Sequence, residues 1–107
     1  MPHIAPEEVV SPKDNWRLID VVLNNGKGES AYAIGMWDKH RCVAFRWNGT
    51  DDKPIGNPQS RGLPTWVVLD TALNRAVLKL VQKHNPDKAP IMRAFLGLPV
   101  EPEYRVI

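Results

Sequence analysis

RWNGTDDKPIGNPQSRGLPTW, residues 46–66, is a long irregular connection pinned between two tryptophans, Trp47 and Trp66. From Asn48 to Pro64 it runs for 17 residues and carries Pro54, Pro58 and Pro64 with Gly49, Gly56 and Gly62, which argues against both helix and ladder strand. Connections of this length are uncommon inside a compact domain and are usually functional or disordered. Proline fixes φ, and glycine and asparagine accept the positive φ that tight turns need, so an ordered loop is expected.

Upstream of the loop the pattern is that of strands. From Asn15 to Leu23, Arg17, Ile19, Val21 and Leu23 share one parity and Trp16, Leu18, Asp20 and Val22 the other. The run from Asn24 to Gly28 contains an Asn-Gly hairpin signal, and a second strand follows over residues 30–37. After a polar turn at Asp38 to His40, a third strand is predicted over residues 41–47. Downstream, a fourth strand is predicted over 65–69, and Asp70 occupies an N-cap position before a helix over 71–84. In that helix Leu73, Ala76, Val77, Leu80 and Val81 recur at helical spacing and predict the core stripe. Asn85-Pro86 stops it, and a short extra helix is expected over 91–96, burying Ile91, Phe95 and Leu96. Residues 1–14, with three prolines and no periodicity, read as a flexible arm, and 99–107 as an extended tail. The expected fold is therefore α+β: one domain over 15–98, a curved four-stranded antiparallel sheet followed by a C-terminal helix, β-β-β-β-α.

Composition sets bounds on function. A chain of 107 residues with 43% hydrophobic residues is large enough for one core without disulfides or metal. Fourteen Lys and Arg against twelve Asp and Glu leave a net charge of +2, a small excess for a nucleic-acid binder. The charge is unevenly spread: residues 1–29 hold three basic and five acidic groups, 30–69 five and three, and 70–107 six and four. The single cysteine, Cys42, allows neither an internal disulfide nor a multi-cysteine zinc site, and no cofactor or metal is expected. Without a signal-peptide pattern or a span-length apolar run, a cytoplasmic protein is predicted, nucleoid-associated if it binds DNA.

If the helix covers Ile19, Val21, Leu23, Tyr32, Ile34, Met36, Val43 and Phe45, the opposite face presents Trp16, Leu18, Ala33, Gly35, Trp37, Ala44, Arg46 and Trp66. Such a face is too apolar to stand in water without a partner. Aromatics among small residues, rimmed by Lys39, Arg41, Arg46, Lys53 and Arg61, form a stacking platform with phosphate contacts for single-stranded DNA or RNA. The alternatives are that these tryptophans are core residues, or that the face is a protein–protein assembly or regulatory surface. An enzyme is not expected. His40 near Asp38, and Asp51-Asp52, have no oriented partner at a spacing that would make an acid–base pair or an EF-hand.

The order of elements and the words RCVAFRWNGTDDKPIGNPQSRGLPTWVVLD, residues 41–70, resemble the transcriptional positive cofactor four family of single-stranded-DNA-binding proteins, related in shape to the plant Whirly proteins. The resemblance spans roughly residues 15–84 and rests on element order and one loop. It implies a homodimer joined through the helix and fourth strand, with single strands gripped on the concave sheet face. By position, Trp37, Lys39, Arg41, Arg46, Lys53 and Arg61 match the binding residues. The chain departs from the family in Phe45, where an arginine is common, in a loop whose basic residues are reduced to Lys53 and Arg61, and in its added C-terminal stretch.

Overall fold

The computed structural model describes residues 3–98; the tail expected over 99–107 lies outside them, as do Met1 and Pro2. Strands β1 (Trp16–Asn24), β2 (Ser30–Trp37) and β3 (His40–Trp47) form an antiparallel meander. Gly26, at φ +99°, turns the chain between β1 and β2. The long loop contains a two-residue hairpin, β4 (Gln59–Ser60) and β5 (Leu63–Pro64), so the expectation of a loop without ladder pairing is corrected. The strand expected over 65–69 is only two residues, β6 (Val67–Val68), paired antiparallel with β3. The sheet order is β1-β2-β3-β6. A 3-10 turn (Thr71–Leu73), capped by the Asp70 carboxylate at 2.9 Å from the Ala72 amide, leads into helix α1 (Asn74–His84). A second 3-10 turn (Pro86–Lys88) opens α2 (Ala89–Phe95).

The face assignment differs from the expected alternation because β1 shifts register twice, between Leu18 and Asp20 and between Val21 and Leu23. Each shift places one extra residue, Ile19 and then Val22, and exchanges the two faces of the strand. Val22 therefore joins Ile34, Val43, Leu78, Val81, Met92 and Phe95 beneath the helices, while Val21 packs on the other face. The Val22 carbonyl is taken by the Asn85 side chain at 2.7 Å, tying the end of α1 to the shifted strand. Asn74 does the same at the helix start, donating to the Arg41 carbonyl at 2.8 Å and accepting from the Val43 amide at 3.3 Å.

The second face is closed rather than open. Trp16, Val21, Ala31, Ala33, Cys42, Ala44 and Trp66 form a second core with Val9, which is fully buried. The described part of the arm, expected to be flexible, lies across the sheet: its Pro6 is buried, and its Ile4 amide donates to the Pro54 carbonyl at 3.0 Å. Gly35 admits no side chain, because a Cβ there would collide with the Trp16 ring and the Arg17 carbonyl.

The helix stripe is also rephased. Leu78 and Val81 are the buried positions of α1, whereas Leu80, expected in the core, is 59% exposed and Leu73 45% exposed. In α2 the fully buried side chain is Met92, while Ile91 faces outward and Phe95 is buried as expected. The end residues of the sheet-facing stripe, Asn74 and Asn85, are polar, so apolar spacing alone favours the neighbouring arc of Leu73, Val77 and Leu80. Leu78→Ala should accordingly cost about 2–5 kcal/mol in urea unfolding of dilute protein, and Leu80→Ala less than about 1 kcal/mol.

Candidate functional site

The residues expected to bind nucleic acid are distributed over three places. Arg46 is 1% exposed and lies inside the fold. Its guanidinium donates from Nη1 to the Thr65 carbonyl at 2.6 Å and from Nη2 to the Ile55 carbonyl, and burial lowers its pKa. Trp66 is 4% exposed, with its indole N–H donated to the Val9 carbonyl at 2.6 Å. Neither faces a ligand on an open sheet, and that placement is corrected. Trp37, Lys39 and Arg41 stay together at the β2–β3 turn, where Trp37 pairs with His40 and is half-buried while both cations are exposed. Lys53 sits alone in the long loop, and Arg61, at φ +52°, marks the exposed tip of the β4–β5 hairpin.

The long loop is ordered by its own polar chemistry. Trp47 and Asn57 exchange backbone hydrogen bonds at 2.7 and 3.0 Å. Asn48, 3% exposed, donates to the Asn24 side chain and the Gly26 carbonyl, each at 2.8 Å. An amide that has left water must find such partners, so the loop start is held to the β1–β2 turn. Arg46 then fastens the middle and end of the loop through Ile55 and Thr65. Cys42 lies on the second-face core with its thiol pKa raised, first by burial and further by the charge of Asp70, which makes it a poor nucleophile. Among the described residues no three or more His, Cys, Asp or Glu side chains gather to hold a metal ion, and no helix is long and apolar enough to cross a membrane.

Two surface features are not apparent from the sequence pattern. The first is an apolar groove of about 420 Å³ between α1 and the sheet, lined by Tyr32, Phe45, Leu69, Val77, Leu80 and their neighbours, with His84 as its titratable group. Tyr32 and Phe45 stack at 6.1 Å between centroids, and Trp47, 49% exposed, meets Phe45 edge-on at 6.4 Å. The apolar spacing of the Leu73–Leu80 arc carries a signal for this groove, but the same spacing reads equally well as core. The second is a basic band. Two adjoining grooves, of about 360 and 400 Å³, share the segment Lys13 to Asn15; Arg17 and Lys39 line one and Arg61 the other, so that four cations stand beside the carboxylates of Asp14, in both grooves, and Asp38. The ion pairs among the described residues, Lys27–Asp51 and Lys88–Asp20, both at 2.8 Å, use none of these four cations.

Compared with protein-family models, with characterised proteins and with solved structures, the chain matches none. The resemblance drawn above rests on its own residues. Arg46→Ala, which leaves the part-buried Ile55 and Thr65 carbonyls without donors, should destabilise the fold by about 2–5 kcal/mol in chemical denaturation, about 1–3 kcal/mol for each unpaired acceptor.

Proposed function

We propose that the chain is a protein-assembly module whose working contact is the groove between α1 and the sheet, occupied by a second copy of the same chain. The observation that carries this reading is the exposure of Leu73 and Leu80 beside the groove lined by Tyr32, Phe45 and Leu69. A two-fold interface uses one patch on both partners, so the patch must hold a ridge and a matching hollow together. Here the Leu73–Leu80 arc supplies the ridge and the Tyr32–Phe45 floor the hollow. Fully burying a leucine contributes about 1.5–3 kcal/mol; Leu80, 59% exposed, and Leu73, 45% exposed, would each gain about half of that, counted twice across the two-fold axis. The short edge strand β6 runs beside the same groove, where a second copy would also shield its free edge.

Sedimentation should give a dimer at about 50 µM, a concentration at which even micromolar association is nearly complete. Leu80→Glu should give a folded monomer, because an exposed position accepts the charge while an apolar interface does not. A wild-type chain that remains monomeric at this concentration overturns the reading.

A second reading, single-stranded nucleic-acid binding, is favoured by the basic band of Lys13, Arg17, Lys39 and Arg61 beside the half-buried Trp37. It moves the expected contacts from the sheet face to the edge over the N-terminal segment. A fluorescent oligonucleotide titrated at about 50 mM salt should bind, and Lys13→Gln with Arg61→Gln should flatten the log–log salt dependence by about 0.7 for each phosphate that is no longer neutralised. Absence of binding at that salt removes this reading and leaves the first intact.

A further inference from the structure

On the opposite face from the groove, a pocket of about 540 Å³ opens at the end of the second core. Trp37 and the edge of Trp66 line it together with Cys42 and Val68, and His40, Asp70 and Thr71 bring polar side chains. No lysine or arginine is among its lining residues, although the chain carries fourteen. Asp70 uses Oδ1 to cap the turn at Ala72, and no ion pair among the described residues involves it. Asp70 itself lines the pocket, together with Cys42.

The half-buried indole of Trp37 and the Asp70 carboxylate beside an apolar hollow attract positive charge, because the ring quadrupole and the carboxylate act in the same direction. A primary ammonium or a metal ion entering this hollow would surrender strong hydration for few acceptors. A quaternary ammonium has no N–H to satisfy, and its methyl groups match the apolar walls. The volume lies within the range of small-molecule sites. We infer that this pocket binds an organic cation, a quaternary ammonium group, held against the half-buried indole of Trp37 with Asp70 as counter-ion. This site lies across the sheet from the assembly groove and shares only Leu69 with its lining.

The test uses the full chain at pH 7.5 and the methyl proton resonance of choline, with the neutral isostere 3,3-dimethyl-1-butanol as control. Choline should show a saturable upfield shift, and the isostere should bind about tenfold more weakly, the difference expected when a desolvated cation–π contact is removed. Asp70→Asn keeps the helix cap, since asparagine caps as well as aspartate, and should weaken choline binding about tenfold. Trp37→Ala should abolish the shift, and Leu80→Glu should leave it unchanged. A trimethyllysine peptide in the same assay separates a free ligand from a modified protein chain: whichever binds more tightly identifies the source. Lack of saturation by both cations at about 10 mM, a concentration well above millimolar dissociation constants, overturns the proposal. Equal binding of the neutral isostere, or full affinity in Asp70→Asn, overturns it as well.

Discussion

The buried guanidinium of Arg46 is the contact on which the rest of the structure depends. Arg46 stands opposite Ala31 in the β2–β3 register, and its donors reach the Ile55 and Thr65 carbonyls, which lie in the middle and just beyond the end of the long loop. Removing an ion from water costs several kcal/mol even after relaxation, and the lowered pKa expresses that cost in this molecule. Charge-assisted hydrogen bonds to two carbonyls offset it. The fastening holds Thr65 in place, and the next residue, Trp66, enters the second core with its N–H on Val9. Closure of the second face thus follows from one arginine on β3 through the loop to the N-terminal segment.

The first face is closed less completely. Helix α1 is eleven residues and α2 seven, and together they cover Val22, Ile34 and Val43. They leave Tyr32 and Phe45 half-buried and the Leu73–Leu80 arc outside. Since Asn74 and Asn85 lock both ends of α1 to sheet backbone, the helix cannot roll to bury that arc without breaking their hydrogen bonds. The apolar groove is therefore a consequence of polar contacts that set the helix phase. Hydrophobicity alone would have chosen the other face.

Much of the fold is legible in the sequence. The first three strands, the Asn-Gly turn, the Asp70 cap and both helices stand near their expected positions, because each rests on local chemistry of spacing, turn residue or cap. Side chains could not be assigned to faces so easily. Period-two alternation assumes an unbroken ladder, and the extra residues Ile19 and Val22 reverse it twice within β1. The arm has no periodicity to reveal its role. Its burial at Pro6 and Val9 depends on a complementary surface assembled from four distant segments.

The site was less legible, for a reason that the loop itself supplies. Backbone without ladder partners must find hydrogen bonds elsewhere once it leaves water. Side chains with N–H donors can reach such carbonyls, and arginine, tryptophan and asparagine are therefore drawn to the borders of long ordered loops. Arg46 serves the loop in this way at Ile55 and Thr65, while Trp66 and Asn48, at the loop borders, donate outward to the Val9 and Gly26 carbonyls. The same residue types mark a nucleic-acid platform, so a basic and aromatic word bracketing such a loop carries two meanings in sequence. Parity separates them: a side chain on the strand face that carries small residues such as Ala31, Ala33 and Ala44 has room to turn inward, whereas Lys39 and Arg41, at a solvent-exposed turn, have no backbone to rescue. Arg46, opposite Ala31, satisfies the structural condition and Arg41, opposite Met36, does not. Lys13, Lys39 and Arg61 are exposed cations outside this structural role, on the N-terminal segment, the β2–β3 turn and the hairpin tip.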